Sequence, residues 1–455
     1  MPQERRGSMP EQLEVLRQVS TQAGGRLYVG AVSGGLALGE PQQSALVLGP
    51  PRSGKTSSLA IPNVLFAPGP AIVTSTKPDV LAATFAERSK LGTCWLFDPT
   101  GALGTLPGVK PLRWSPVAAA RSWDESLTIA RSMSGAARPD ARRGESAHWT
   151  ERAEALLAPL LHASYLRGSG IEAVLGWVLR QDLDEPSSVL QVNGVRLGCD
   201  VLAGLGATDP REMSGIWSSA AGILAAYRSE QVLDHSSPVN FDPFGLARTP
   251  DTVYVCAPAR HQNLVAPAVV ALLDQVRAGS YSSWKPGAAP LTMVLDELAN
   301  IAPIPDLPAL LSEGGSQGVL TFACLQDLSQ ARQRWGDAAD GLLSLFGAKV
   351  VLPGIADMTT LELVSRLGGE VDVPSMSVTR SPIWSPARGA PSVTWSNQRQ
   401  RRLPLDAVSQ QPRGTALLIS GSQPTQRVRV VPWWEMDILR RAPSRDLDRS
   451  RSLKG

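Results

Sequence analysis

The chain has 455 residues, enough for two or three domains, and its 43% hydrophobic and 19% charged residues are typical of a folded globular protein. Its net charge of +3 excludes a uniformly basic protein, so any contact with nucleic acid would come from local patches. The sequence contains no apolar run of about 18 residues that would predict a transmembrane helix, and no signal-peptide core. The four cysteines lack metal-binding spacing. These features predict a cytoplasmic protein.

The first part of the chain changes from a lead-in to a repeating strand–helix pattern. Residues 1–44 contain a predicted helix, Glu11–Ser20, and a glycine-rich, hairpin-like stretch, Arg26–Gly39. Residues 45–117 then alternate short apolar runs with helical segments. The predicted strands are Ala45–Leu48, Ala71–Thr74 and Thr93–Phe97. Such alternation predicts an α/β fold with a mainly parallel central sheet.

The segment after the first predicted strand matches the phosphate-binding loop pattern G-x-x-x-x-G-K-[ST]. A helix would follow it, with its positive dipole end facing the phosphates. Lys55 would pair with the β- and γ-phosphates, and Thr56 would offer its hydroxyl to Mg²⁺. We therefore predict ATP and Mg²⁺ as cofactors. The predicted nucleotide contacts are Gly49, Pro50, Pro51, Arg52, Ser53, Gly54, Lys55, Thr56 and Ser57.

Residues 118–231 depart from this pattern, because their apolar residues recur at helical spacing and no strand is predicted among them. We expect an all-helical domain inserted into the α/β domain. Strand–helix alternation resumes in residues 232–435, which we interpret as the second part of the nucleotide-binding domain. Within it, residues 370–402 predict a basic extended loop or hairpin. The polar tail 436–455 is expected to be disordered.

A second element of a hydrolytic site is predicted after the insertion. The apolar run Leu291–Leu295 would be a strand that ends in two carboxylates, where ligands bind in open α/β sheets. Asp296 would hold the Mg²⁺ shell, and Glu297 would orient or deprotonate the attacking water. Gln326 follows the next predicted strand and would sense the γ-phosphate. Alternatively, Gln326 caps the helix that follows it.

Together these motifs resemble those of the conjugative coupling ATPases of type IV secretion, the TraG-like proteins of the HerA/FtsK group of RecA-like motors. The resemblance covers about residues 26–435. Its motifs are Gly49–Thr56, Ser75–Asp79, Phe97–Pro99, Leu295–Ala299, Gly314–Gly318, Leu325–Gln330 and Pro432–Trp434. The helical insertion falls where this family carries its all-α domain. The resemblance therefore implies a RecA-like P-loop NTPase fold.

The resemblance also implies a hexameric ring that hydrolyses ATP and moves single-stranded DNA, or a DNA–protein complex, to a type IV secretion channel, with a relaxase as partner. It implies catalytic roles for Lys55, Glu297 and Gln326. It implies metal roles for Thr56 and Asp296. Lys77 matches a family position near the nucleotide.

Two departures from the family pattern bear on this interpretation. Members usually begin with transmembrane helices, so we expect either a separate membrane-anchor subunit or a lost start, with the protein docked at the inner face of the cell membrane. Gln42–Ser44 occupies the place where some relatives carry a proposed arginine finger. The alternatives for such a finger are Arg152, Arg260, Arg332 and Arg402.

The stretch from Arg380 to Arg402 contains five arginines, two tryptophans and no acidic residue. Because arginine pairs with phosphate and tryptophan stacks on bases, this stretch predicts a single-stranded DNA contact. The alternative is an exposed hairpin whose tryptophans pack on the core. The candidate DNA contacts are Arg380, Trp384, Trp395, Arg399, Arg401 and Arg402.

Three functions remain open from the sequence. The leading hypothesis is a coupling motor that delivers DNA to a secretion channel. The second is a related HerA/FtsK-like motor in DNA processing or defence. The third is an ATP-gated platform that recruits substrates for secretion through its helical insertion.

Overall fold

The structure is a computed structural model that describes residues 9–22, 24–33, 35–137, 145–379, 392–421 and 423–439. Among these residues the strands form one twelve-stranded sheet and a separate two-stranded ribbon. The strands of the large sheet are β1 Tyr28–Val32, β2 Gly35–Leu38, β3 Ala45–Leu48, β4 Ala71–Ser75, β5 Cys94–Phe97, β6 Lys110–Pro111, β7 Thr252–Cys256, β8 Leu291–Leu295, β9 Val319–Leu325, β10 Ala348–Val351, β13 Thr415–Ser420 and β14 Gln426–Arg429. The ribbon consists of β11 Glu370–Thr379 and β12 Ser392–Arg401.

Helices flank this sheet and fill the middle of the chain. The helices of the first part are α1 Met9–Gln22, α2 Ile61–Phe66 and α3 Asp79–Arg88. The middle helices are α4 Trp123–Ala137, α5 Glu145–Arg167, α6 Ile171–Arg180, α7 Asp184–Val192, α8 Arg196–Gly206, α9 Pro210–Ile223, α10 Glu230–Asp234 and α11 Pro243–Leu246. The helices of the last part are α12 Gln262–Ser283, α13 Leu298–Ile301, α14 Leu307–Glu313, α15 Leu328–Trp335, α16 Ala338–Leu345, α17 Met358–Leu367 and α18 Leu405–Ser409.

The strand order of the large sheet is β2-β1-β14-β13-β10-β3-β9-β8-β4-β7-β5-β6. All neighbours from β10 to β6 are parallel, whereas β13, β14, β1 and β2 continue the sheet in antiparallel pairs. The predicted mainly parallel α/β sheet is confirmed. Because parallel strands end at the same edge, the carboxyl ends of β3, β8, β9 and β10 meet there.

The central strands are apolar and buried along their whole length, as expected for a parallel sheet covered on both faces.

Asn63, on the helix after β3, connects that helix to the antiparallel edge of the sheet. The Asn63 side chain accepts from the Tyr28 backbone N–H at 2.8 Å and donates to the Tyr28 carbonyl at 2.9 Å. The predicted hairpin of the lead-in is thus observed as β1 and β2, and it completes the sheet.

The helical region confirms the all-α insertion of the predicted fold. The long helix α5 packs against α4, α6, α7, α8 and α9, and α4 also packs on α12 of the α/β part. Trp177 and Trp217 are buried between these helices. The Trp177 indole N–H donates to the Glu185 carboxylate at 2.6 Å. No strand occurs in the described residues of 118–231, as the helical spacing predicted.

Three local details differ from the sequence expectations. A two-residue strand, β6, follows β5 and was not predicted. The helix after the phosphate-binding loop opens with a π-helical turn, Thr56–Ala60, a wider turn that often occurs at functional sites. Within the tail predicted to be disordered, Met436 and Leu439 are buried in the core, and residues 440–455 lie outside the described residues.

Candidate nucleotide site

The strand order brings three separate parts of the sequence to one sheet edge. The loop Gly49–Thr56 follows β3, the carboxylates Asp296 and Glu297 follow β8, and Gln326 follows β9. β9 lies between β3 and β8, so Gln326 emerges between the loop and the carboxylates. The backbone N–H of Gly49 donates to the Leu325 carbonyl at 3.2 Å, which fixes the start of the loop to the end of β9.

The loop has the backbone of an anion cradle. Arg52 has φ of 64° and Gly54 has φ of 95°, so the chain turns sharply before the helix. At Gly49 an added Cβ would lie 2.8 Å from the Leu352 Cβ and 2.8 Å from the Ser53 Oγ, so only glycine fits. The Lys55 ammonium donates to the Gly49 carbonyl at 2.6 Å, which holds this positive charge within the loop. We therefore assign the loop as the candidate phosphate site.

Thr56 and Asp296 meet although 240 residues separate them in the sequence. The Thr56 hydroxyl donates to the Asp296 Oδ2 at 2.7 Å. Only 7% of Asp296 is exposed, and its Oδ1 is buried without a hydrogen-bond partner. Burial raises the pKa of Asp296 to about 6, which the hydrogen bond from Thr56 opposes. A buried carboxylate with an unused oxygen beside a threonine hydroxyl suits a cation.

This pair fits Mg²⁺ by its chemistry, since Mg²⁺ prefers oxygen ligands and takes few of them from the protein. Within the described residues, no group of three or more histidine, cysteine, aspartate and glutamate side chains could form an all-protein metal site. Thr56 and Asp296 are therefore the residues that would hold an ion here.

Glu297 lies beside this pair and is half-buried. Burial raises its pKa, and the positive charge of Lys55 opposes that shift. The Asn300 amide donates to the Glu297 Oε2 at 3.4 Å, at the long limit of a hydrogen bond. A carboxylate with a raised pKa and a weak partner is suited to accept a proton from water.

Gln326 does not cap the helix that follows it. Asp327 has that role, because its carboxylate accepts from the Ser329 backbone N–H at 2.9 Å. The backbone N–H of Gln326 donates to the Gln330 side chain at 2.8 Å, which fixes the strand end. The helix-cap alternative is therefore wrong, and the position between β3 and β8 leaves the sensor role as the hypothesis.

Lys77 and the four candidate finger arginines differ in exposure and in ion pairing. Lys77 follows β4 and is exposed, and its carbonyl oxygen lies 3.8 Å from the Cys256 sulfur. Among the finger candidates, Arg152 pairs with Glu212 at 3.2 Å and Arg332 pairs with Asp357 at 3.1 Å. The other two, Arg260 and Arg402, have exposed side chains.

The predicted hairpin of residues 370–402 is observed as the antiparallel ribbon β11–β12, in which the basic stretch supplies β12. Trp395 is 68% exposed and does not pack on the core. Cross-strand register places Arg401 opposite Glu370 and Arg399 opposite Asp372, and Arg399 Nε lies 2.7 Å from Glu370 Oε2. Acidic residues of β11 thus offset part of the positive charge of β12.

Of the other candidate DNA contacts, Arg402 is exposed at the base of the ribbon, and its backbone N–H donates to the Gly369 carbonyl at 2.9 Å. Arg380 and Trp384 lie outside the described residues. The register of the ribbon could not be read from a single basic stretch, because the acidic partners precede it in the sequence.

Sequence reasoning gave no site role to two features at this edge. Asp79 contributes negative charge that helps to raise the pKa of Asp296, and its carboxylate accepts from the Ser75 hydroxyl at 3.3 Å. Trp433 and Trp434 pack as an edge-to-face pair beside the helix that follows the loop. Both lie in motifs of the family resemblance, and that was the only signal for them.

Comparison with known proteins agrees with this architecture. Residues 290–413 match the family described as the TraM recognition site of TraD and TraG. The bacterial conjugative coupling protein TrwBdeltaN70, in an unbound monoclinic form, is similar to this chain with a TM-score of 0.68 and 18% identity, over 94% of this chain and 93% of that one. The chain has the fold of a conjugative coupling protein. The predicted RecA-like P-loop fold with an all-α domain is therefore confirmed.

Two other TrwB structures contain nucleotides. The complex with ADP and Mg²⁺ has a TM-score of 0.65 and 18% identity, over 86% of each chain. The complex with the non-hydrolysable ATP analogue ADPNP has a TM-score of 0.64 and 18% identity, over 86% of each chain. Comparison of the sequence with curated proteins gave no significant match. No helix among the described residues combines the length and apolarity needed to span a bilayer.

Proposed function

We propose that this protein is an ATP-hydrolysing coupling motor that binds and translocates single-stranded DNA, or a DNA–protein complex, to a type IV secretion channel. The observation that carries the proposal is the contact between Thr56 and Asp296. It joins the phosphate-binding loop to the carboxylate strand in one site, as the hydrolysis of a Mg²⁺-bound triphosphate requires. The coupling-protein fold and the match of residues 290–413 support the role in conjugation.

In this proposal ATP binds with Mg²⁺, and each residue has one task. Backbone N–H groups of Gly49–Thr56 and the Lys55 ammonium hold the phosphates. Thr56 and Asp296 hold the ion, which neutralises phosphate charge when bound. Glu297 orients the water and takes its proton, and Gln326 responds to the γ-phosphate.

The remaining parts of the proposal concern assembly and partners. A homo-hexameric ring would place a neighbour's arginine at each site, and the exposed Arg260 and Arg402 are the two candidates that form no ion pair with any residue the structure describes. A relaxase and channel proteins would be partners, and the ring would dock at the inner face of the cell membrane. Trp395 and the arginines of the ribbon would contact DNA.

The test is steady-state ATP hydrolysis with and without single-stranded DNA. Lys55→Ala should lose nucleotide binding and turnover, because the phosphates lose their point charge. Glu297→Gln should reduce turnover by about 100-fold or more yet still bind ATP, since the Mg²⁺ and phosphate contacts remain. Turnover by Glu297→Gln at the wild-type rate would refute the assignment of the base.

The recruitment platform remains a second candidate because the helical region carries a surface groove. The groove lies between α7 and α8, has a volume of about 530 Å³, and is lined by Ser187, Gln191 and Cys199 among others. Ala203, on α8, is exposed and lines this groove. Absence of DNA stimulation, together with binding of a secreted protein that Ala203→Asp abolishes, would favour this function over the motor.

A HerA/FtsK-like motor in DNA processing or defence would share the hydrolytic site described above. DNA-stimulated hydrolysis without any binding of a relaxase would favour it over the coupling motor.

A further inference from the structure

The paired tryptophans near the end of the described chain lie at the same sheet edge as the phosphate-binding loop. β14 is antiparallel to β13, and β13 is antiparallel to β10, so β14 runs in the same direction as β10 and β3. Its carboxyl end therefore opens toward the edge that carries Gly49–Thr56. The turn Trp433–Glu435 follows that end after a few residues.

This turn packs directly against Thr56–Ala60, the π-helical turn after the loop. Trp433 is half-buried against the apolar layer that includes Leu59. Trp434 is 52% exposed, and its ring meets the Trp433 ring edge-to-face, with centroids 6.1 Å apart and planes at 81°. The inner indole is anchored and supports the outer one, so Trp434 presents a flat aromatic surface to solvent.

The carboxylates define which way a bound nucleotide would run. Glu297 and Gln326 follow β8 and β9, which lie on one side of β3, so the γ-phosphate would point to that side. The ribose and base must then extend to the opposite side, over the ends of β10, β13 and β14. At a strand spacing of about 4.8 Å, the end of β14 lies about 14 Å from β3, a span that a nucleotide can bridge.

We propose that Trp434 stacks on the base of the bound nucleotide and positions it. The inference rests on the proposed ATPase site and adds the residue that recognises the base. An indole face offers stacking area but no hydrogen-bonding pattern, so it favours large ring systems over small ones. Purine diphosphates should therefore bind more tightly than pyrimidine diphosphates.

The experiment compares a ligand that carries a base with one that does not. Both would bind to the phosphate loop. Affinities of the full chain for ADP and for inorganic tripolyphosphate, each with Mg²⁺, are measured by calorimetry. Trp434→Ala should lower the affinity for ADP about tenfold or more, because stacking is lost. The affinity for tripolyphosphate should stay within about twofold of the wild-type value, because the loop is intact. Trp434→Phe should recover part of the ADP affinity. The control variant Tyr165→Ala removes an exposed aromatic side chain from the helical region and should change neither affinity.

The outcomes separate this inference from the proposed function. Equal ADP affinity in Trp434→Ala and wild type overturns the stacking, and so does an equal loss of ADP and tripolyphosphate. A change in the sedimentation coefficient of Trp434→Ala without ligand also contradicts it, because it would place Trp434 between subunits. Lys55→Ala tests the site itself, since retention of both ligands by that variant would refute the proposed nucleotide site instead.

Discussion

The buried carboxylate Asp296 should destabilise the protein in the absence of nucleotide, and Asp296→Asn tests this. The pKa of Asp296 is about 6 in the folded state, against an ordinary value of 3.8. The folded wild type is therefore most stable at low pH, and it loses stability as the pH rises from about 3.8 to about 6. With those two pKa values, ionisation of Asp296 lowers the free energy of unfolding by between about 1 and 2 kcal/mol at pH 5 and by about 3 kcal/mol at pH 8. An asparagine has no such dependence on pH.

The new amide has its own cost, which must be separated from the charge. Asparagine can still accept from Thr56, but its NH₂ would take the place of Oδ1, which has no partner. An unpaired buried group costs about 1–3 kcal/mol at every pH, so the net sign at one pH is not diagnostic. The diagnostic quantity is the change between pH 5 and pH 8, over which the variant should gain about 1 kcal/mol of unfolding free energy relative to wild type.

The assay is urea unfolding followed by tryptophan fluorescence at pH 5, 6 and 8, in EDTA and at constant ionic strength. Asp340→Asn changes an exposed carboxylate and serves as the control. In a separate series without EDTA, Mg²⁺ and ADP at 100 times the dissociation constant should raise the unfolding free energy of the wild type by about 2.7 kcal/mol and that of the variant by much less. A difference between variant and wild type that does not change with pH would refute the reasoning, and so would one that changes in the opposite direction.

Two further predictions concern the ribbon and the base of the sheet. Replacing Arg399 and Arg401 with Ala should lower single-stranded-DNA-stimulated hydrolysis while basal hydrolysis stays the same; unchanged stimulation would exclude these arginines of the ribbon as a DNA contact. Arg88→Met should lower the free energy of unfolding by about 3 kcal/mol or more, because buried carbonyls lose their donor. The Arg88 guanidinium donates to the Ala67, Gly69 and Pro250 carbonyls and to the Thr252 hydroxyl. Urea unfolding measures the effect, and an equal loss in the exposed control Arg180→Met would contradict it.

Much of the fold and part of the site could be predicted from local sequence alone. The phosphate-binding loop is a contiguous motif whose glycines and lysine are needed at fixed spacing, so Gly49–Thr56 was recognisable at once. The apolar runs of β3, β4 and β8 are buried on both faces, and such runs show directly in the sequence. The helical insertion could also be predicted from the sequence, because its apolar residues recur with the period of a helix.

Long-range pairing decided the rest. The order of the sheet places β9 between β3 and β8, and only this order brings Gln326 between the loop and Asp296. No local pattern specifies which central strand pairs with which, because β3, β4, β7, β8 and β9 are all similar buried runs. For the same reason the pairing of Arg399 with Glu370 across the ribbon could not be predicted. The sequence from Arg380 to Arg402 alone indicates a basic stretch without acidic partners.

The sequence by itself determined the chemistry of the phosphate end, because that chemistry depends on neighbouring residues in one loop. Only the tertiary structure placed Trp434 at the same edge, more than 370 residues after the loop by their numbering. Its position depends on two antiparallel reversals, β10 to β13 and β13 to β14, which return the chain to the direction of β3. The location of the aromatic surface is thus a property of the sheet rather than of the motif that contains it.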